Sequence, residues 1–411
     1  MVFDKDMIKN RDIIRKLSQQ YENFYLYDEQ EIINRINILK STFSGIDFLY
    51  SVKCNPNPHV IKCIFSQGFG ADAASLGEVL LAGEAGLPKE QIYYSAPGKT
   101  IEDIKAAISK SVIIADSIDE IKRIDSISKD MGCITEIGIR IHPDFSFYGH
   151  EIHPSKFGID AKQAVDFIKE NQCSNINITG IHIHLRSQEL NTKVLGNYYK
   201  NVFDFAERFQ KICGIDLKYL NMGSGIGIPY SPDDISLDLD YLGSLVEKKL
   251  SEFSEKYPAA RVFIETGRFV AGKSGVYVTR ILDRKVSQGK TYLIAQNTLN
   301  GFVRPSLEMM VKHYVSDAGI DSYEPFFTGF DSFGINPLKD EEPCEAVTIV
   351  GNLCTGTDVI AENIMMPHLE CGDVLVISNA GAYAAVLSPM QFASQKKPIE
   401  IFLKLNGETE I

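Results

Sequence analysis

The chain has 411 residues, 44% hydrophobic and 23% charged, an ordinary globular balance with length for two or three domains. Its 42 Lys and Arg against 54 Asp and Glu give a net charge of −12, which argues against nucleic acid or an anionic membrane as the main partner but leaves room for a local basic pocket. No apolar run reaches a membrane span, the charged opening MVFDKDMIKNRDIIRKL lacks a signal-peptide core, and the eight scattered cysteines make neither a C-x-x-C pair nor a disulfide framework, so the expectation is a cytoplasmic protein with free thiols.

In chain order, FYLYD (24–28) reads as an isolated strand. From 48 to 265, short β-rich runs alternate with helical patterns. The strands are expected at 48–52, 70–72, 91–95, 112–115, 134–141, 176–185, 217–221 and 261–265. Between them, Ser75-Leu-Gly-Glu78 and Ser117-Ile-Asp-Glu120 read as helix-capping boxes, with Thr100-Ile-Glu-Asp103 a weaker version. Lys193 to Cys213 places Leu195, Tyr198, Tyr199, Val202, Phe203 and Phe205 near helical spacing. Strands separated by helices pair in parallel through crossovers, and eight such units predict an α/β fold, a closed (β/α)8 barrel over 30–270. A doubly wound open sheet would give the same pattern. Beyond Arg268 the texture turns to strands at 274–286, 290–295, 345–351, 373–378 and 399–405, with a hairpin turn at Ser287-Gln-Gly-Lys290. A C-terminal β-sandwich or β-barrel domain of 271–411, joined by 1–29, is therefore expected.

Barrels of this kind keep their chemistry at the C-terminal ends of the strands. Those ends carry Lys53, Asp72, His184, the run Gly223-Ser-Gly225-Ile-Gly227, and Glu265 followed by Gly267-Arg268. A lysine directly after an apolar strand is partly desolvated, which makes its amine nucleophilic. The glycines suit a phosphate cradle of backbone N–H groups, or simply a tight turn. His182 and His184 share one strand face, as a metal pair or, better, with a histidine stacked on a planar cofactor. A lone buried Glu265 needs a partner, and a protonated pyridine nitrogen is one. Together these ends suggest pyridoxal 5′-phosphate, with no metal.

At this point the sequence resembles the barrel-type pyridoxal-phosphate decarboxylases that include the diaminopimelate, ornithine and arginine decarboxylases. The resemblance runs from about Tyr25 to Phe402. It rests on Tyr50-Ser-Val-Lys53-Cys-Asn55, Asp72-Ala-Ala-Ser75-Leu-Gly77-Glu78, Ser95-Ala-Pro-Gly98-Lys99-Thr100, Lys156-Phe-Gly158, His182-Ile-His184 with Ser187-Gln188, Gly223-Ser-Gly225, Glu265-Thr-Gly-Arg268, Arg304-Pro305, Cys354…Asp358 and Gly381-Ala-Tyr383. It implies that Lys53 forms the Schiff base with the cofactor, Asp72 supports both, His184 stacks on the ring and Glu265 holds the pyridine nitrogen. Ser187, Gly223, Gly225, Arg268 and Tyr383 would surround the phosphate. Cys354 and Asp358 would enter the neighbouring subunit's site, in a head-to-tail homodimer, where Cys354 helps return a proton to the substrate carbon.

The departures concern the amino-acid substrate. Arg186 stands where the family usually has glycine, and Thr355 where an acid receives a distal ammonium. Gln296-Asn-Thr298 replaces Asp-Ala-Gly, and Glu308 replaces a tyrosine. Arg304 and Arg268 remain to grip a carboxylate. The resemblance thus implies a diaminopimelate-decarboxylase-like enzyme, as in lysine biosynthesis, acting on a substrate with a distal carboxylate. The alternative within the family is a modified or carrier-tethered amino acid of secondary metabolism. An inactive regulator is disfavoured by the presence of Lys53, Cys354 and Asp358, and a racemase by Glu265 where racemases carry arginine.

Overall fold

The structure is a computed structural model that describes residues 9–149, 151–170, 173–314, 324–339 and 341–411. The chain divides into two compact units, Ile33–Ile228 with Ser236–Gly267, and Met1–Ile32 with Pro229–Ile235 and Arg268–Ile411. Strands are numbered along the chain from β1 (Phe24–Asp28).

In the first unit, β2 (Asp47–Ser51), β3 (Gly70–Ala73), β4 (Ile92–Tyr94), β5 (Val112–Ala115) and β6 (Thr135–His142) pair in parallel in that order. A two-residue β7 (Ile159–Asp160) adds to the end of β6. The series continues with β8 (Ile176–His182), β9 (Tyr219–Asn221) and β10 (Arg261–Thr266), and β10 pairs back to β2. The ring of eight is closed, so the open-sheet alternative is excluded.

Leu49, Tyr93, Ile114, Tyr219 and Phe263 pack together inside the ring. The Tyr219 ring takes the space that side chains on β6 and β8 would otherwise use. A Cβ on Gly138 would lie 2.0 Å from the Tyr219 hydroxyl oxygen, and one on Gly180 would lie 1.9 Å from its Cζ. Outside the ring, the long helix Thr192–Cys213 buries Leu195, Tyr198, Tyr199, Val202, Phe203 and Phe205, as their spacing indicates, and ends at Gly214 in the left-handed conformation.

The caps differ from expectation. Thr100 and Asp103 make the complete reciprocal box. Ser75 and Ser117 each accept their N3 backbone N–H, but Glu78 accepts instead from Ala74 N–H and Glu120 is drawn away to Lys99. A carboxylate near a helix start goes to the stronger donor in reach, and a buried ammonium outbids a backbone N–H.

In the second unit, β1 lies between β11 (Gly275–Ser287), antiparallel, and β17 (Ile399–Leu403), parallel. β12 (Lys290–Ala295) turns back on β11 through Gln288 and Gly289, both at positive φ, as a two-residue hairpin requires. β13 (Ile335–Pro337), β14 (Glu345–Gly351), β15 (Val359–Met366), β16 (Val374–Ile377) and β18 (Thr409–Glu410) complete a nine-stranded sheet. The helix Val303–Tyr314 interrupts a region whose residues read as strand-rich. Among the described residues no helix is long and apolar enough to cross a membrane.

Candidate active site

The first three polar positions stand on β2, β3 and the loop after β4. Lys53 lies in the short turn Val52–Cys54 that follows β2. Its side chain is 47% exposed, so the desolvation expected of a strand-end amine is not what distinguishes it. The buried group is its neighbour. Asp72 Oδ2 lies 3.7 Å from Lys53 Nζ with its own side chain 1% exposed. A carboxylate can stay buried only with partners. Ser51 Oγ donates to Oδ2 at 2.9 Å and Ser95 Oγ donates to Oδ1 at 2.6 Å.

The second cluster comes from β8, β9 and β10. Ser224 N–H donates to His184 Nδ1 at 3.0 Å, so that nitrogen is the acceptor of a neutral ring. Burial lowers His184 to about 3 despite the opposing pull of Glu265, and Arg140 and Lys53 lower it further. His184 Nε2 lies 3.4 Å from Ser187 Oγ. Glu265 is buried at the end of β10, with Oε1 accepting from Asn221 Nδ2 at 2.9 Å and lying 3.1 Å from His182 Nε2. Burial works to raise its carboxyl, but His182 beside it, with the Lys53 ammonium, outweighs burial and holds it well below the usual carboxylate range. Gly223 has φ +67, and a Cβ there would meet Ile183 O at 2.4 Å. At Gly225, φ +134, a Cβ would lie 2.6 Å from Leu195 Cδ1. Only glycine fits this turn.

Arg186 is held with its guanidinium 4.9 Å above the Tyr148 ring. Among the described residues no group of three or more His, Cys, Asp and Glu side chains is arranged to hold a metal ion.

The remaining positions belong to the second unit. Arg268 Nη1 donates to Tyr230 Oη at 3.0 Å, the guanidinium lies 4.8 Å over the Tyr383 ring, and Glu324 pairs with it. Tyr383 itself is at φ 52. Arg304, expected to face a substrate carboxylate, is 1% exposed, with its guanidinium 5.1 Å from the centroids of both the Tyr230 and Phe333 rings and Nη2 2.5 Å from Thr328 Oγ1. The hydroxyl of Tyr230 is lowered, because Arg268 and Arg304 outweigh the effect of burial.

Cys354 is exposed, next to Thr355, whose Oγ1 lies 2.9 Å from Thr357 Oγ1. Asp358, expected among the catalytic groups, faces inward. It is buried and accepts from Leu299 N–H and Leu353 N–H at 3.0 Å each and from the Thr298 hydroxyl. Its carboxylate is spent on shaping the loop that carries Cys354.

Ser51 and Ser95 stand inside motifs that carry the resemblance but have no role assigned from sequence, and Asn221, Tyr230 and Glu324 are not singled out by it. Ser51 and Asn221 end barrel strands, the position that identified Lys53 and Glu265, so the same signal was open to them.

Residues 29–272 match the family of pyridoxal-dependent decarboxylases through its pyridoxal-binding domain. The chain is 31% identical to the L-glutamyl-[BtrI acyl-carrier protein] decarboxylase of Niallia circulans, over 97% of this chain and 92% of that protein. It is 28% identical to the diaminopimelate decarboxylase of Aquifex aeolicus, over 97% and 90%. The crystal structure of Helicobacter pylori diaminopimelate decarboxylase with L-lysine superimposes with a TM-score of 0.80 at 25% identity, over 97% and 95%.

The residues at the barrel mouth suit that cofactor. Its aldehyde needs an amine, its pyridine nitrogen an anion, its ring face a neutral planar group, and its phosphate a turn into which no Cβ intrudes. The chain belongs to the pyridoxal-dependent decarboxylases, and is an enzyme that removes a carboxyl group from an amino acid with pyridoxal 5′-phosphate as its cofactor.

Proposed function

We propose that Lys53 holds the cofactor through its aldehyde carbon, with Asp72 fixing the lysine, Glu265 facing the pyridine nitrogen and His184 covering the ring. Ser187, Gly223, Gly225, Arg268 and Tyr383 hold the phosphate. The barrel, 30–270, binds the cofactor, and the β domain of 1–29 and 271–411 serves the site of the second chain in a homodimer. When bound, the cofactor supplies an electron sink for the pair left behind by carbon dioxide. The Glu265 anion keeps the proton on the pyridine nitrogen, which sustains that sink. His184, kept neutral, adds no competing positive charge. Cys354 delivers the proton that replaces the carboxyl group, from a loop that Asp358 holds in shape.

In the first reading the substrate is an amino acid whose far end bears no ammonium, one joined to a carrier protein. The observation that carries this is Thr355, a neutral hydroxyl engaged with Thr357 where the family resemblance places an acid. The α-amino and α-carboxyl groups must stay free for the reaction, so a carrier can be attached only through the side-chain carboxyl, and the distal end is then uncharged. The burial of Arg304 beside two aromatic rings agrees with a neutral tail. The similarity to a decarboxylase of an L-glutamyl carrier protein points the same way. The second reading is an acid-tailed substrate such as diaminopimelate, favoured by the presence of Arg304 and by the diaminopimelate decarboxylases among the relatives.

Carbon dioxide release from carrier-bound glutamyl, free glutamate, diaminopimelate, lysine and ornithine separates these readings. Loss of a charge-assisted hydrogen bond, about 1.5–3 kcal/mol, lowers kcat/KM for lysine and ornithine by about ten- to a hundredfold relative to the neutral-tailed substrate. Thr355→Glu is expected to shift preference toward the diamino acids. Preference of the wild-type enzyme for lysine or ornithine contradicts the proposal. Preference for diaminopimelate that is lost in Arg304→Ala selects the second reading.

A further inference from the structure

The two oxygens of Glu265 have different surroundings. Oε1 accepts from Asn221 Nδ2 at 2.9 Å and lies 3.1 Å from His182 Nε2. Oε2 lies 4.0 Å from His184 Nδ1, a nitrogen that already accepts from Ser224 N–H. Among the described residues no donor is hydrogen-bonded to Oε2.

Asn221 has no freedom to turn over. Its Oδ1 accepts from Gly223 N–H at 2.9 Å, which fixes which end of the amide faces the carboxylate. The Gly223 carbonyl in turn accepts from Glu265 N–H at 2.8 Å. The three residues form a closed circuit: Glu265 N–H to Gly223 O, Gly223 N–H to Asn221 Oδ1, and Asn221 Nδ2 to Glu265 Oε1. The circuit is rigid at its turn, because Gly223 is at φ +67 with Ile183 O and the His184 Cα where a Cβ would stand. Asn221 is 0% exposed and His182 1%, so water competes neither for the Asn221 bonds nor for the place of His182 Nε2, which lies 3.1 Å from Oε1 but out of hydrogen-bond alignment. The terminal torsion of a glutamate is otherwise broad, and a carboxylate tied at one oxygen loses that freedom.

We infer that Asn221, through its hydrogen bond, and His182, through its close approach to the same oxygen, are positioning residues that hold Glu265 at Oε1 and thereby present Oε2 to the pyridine nitrogen of the cofactor. The inference rests on the cofactor placement proposed above. It assigns a role to the first histidine of the His182-Ile-His184 pair, which neither stacking nor metal binding uses.

The test reads the nitrogen itself. Holoenzyme is prepared with pyridoxal phosphate labelled with 15N in the ring, and the nitrogen chemical shift at neutral pH reports its protonation. The wild type is expected to be protonated. Asn221→Leu, which keeps the volume and removes the donor, and His182→Leu are each expected to lower the protonated fraction at least threefold. In both, kcat falls at least tenfold while KM stays within about threefold. If Asn221→Leu fails to fold, Asn221→Ser replaces it, since a serine hydroxyl still meets Gly223 N–H but falls short of Glu265.

Glu265→Gln separates the two layers. If it leaves the nitrogen protonated, the cofactor placement fails and the inference with it. If Glu265→Gln loses the proton while the Asn221 and His182 variants keep it, the placement stands and the inference is overturned. Combining Asn221→Leu with Glu265→Gln is expected to be no worse than Glu265→Gln alone, because the first acts through the second. Additive losses would mark Asn221 as merely structural.

Discussion

His184 shows how one residue's surroundings set both its chemistry and its contribution to stability. The Ser224 N–H occupies Nδ1, and burial holds the ring near a pKa of about 3, so it is neutral throughout the working range. An unfolded histidine titrates near 6.5. Between those values the unfolded chain binds more protons than the folded one, so stability falls as pH drops from about 6.5 toward 3, at up to about 1.4 kcal/mol per pH unit. Glu265, held low in the fold, has the same sign at the acid end, losing its contribution as pH falls through its folded value. Urea unfolding of the cofactor-free chain at pH 7 and pH 5 measures this. His184→Phe is expected to lose about 2 kcal/mol less than wild type over that interval. Equal losses contradict a ring held neutral in the fold. His184 was legible in the sequence because a polar residue that ends an apolar barrel strand has few other uses. Asn221 and Ser51 end strands too, but their partners lie on other strands, and spacing along the chain does not reveal which oxygen they meet.

Helix starts show the limit of local pattern. The Ser117-Glu120 spacing is a sound cap signal, and the serine does cap, but Glu120 answers to Lys99. Lys99 Nζ, fully buried, donates to Glu120 Oε1 at 2.6 Å and to Ala96 O and Ile114 O at 2.7 Å each. Burial lowers the lysine and raises the glutamate, so each depends on the other to stay charged. The pair fastens the loop after β4 to the helix Ile118–Asp130. Lys99→Met leaves a buried carboxylate without its ammonium and is expected to cost roughly 3–5 kcal/mol in chemical denaturation. Adding Glu120→Leu is expected to recover most of that loss. If the double variant is as unstable as the single one, the damage is packing and not charge. A residue pair 21 positions apart, with backbone carbonyls completing the shell, has no signature in sequence, whereas the Thr100-Asp103 box, closed within four residues, does.

At the scale of the whole molecule, the barrel was legible because eight short apolar runs recur with helices between them, and parallel pairing follows from that alternation. The second unit was less so. Its sheet gathers β1 from the N-terminus with strands about 250 residues later, and three of its strands, β13, β15 and β18, carry no strong alternating pattern. The proposed homodimer makes a direct demand on subunit composition. Lys53→Ala and Cys354→Ala chains are each expected to be inactive, and mixing them is expected to restore about a quarter of the sites, since hybrid dimers hold one intact site. Absence of recovery, with exchange demonstrated, contradicts a shared site. The most direct measurement is borohydride reduction of the holoenzyme followed by peptide mapping. The account predicts the pyridoxyl group on Lys53, and a label on any other lysine would contradict it.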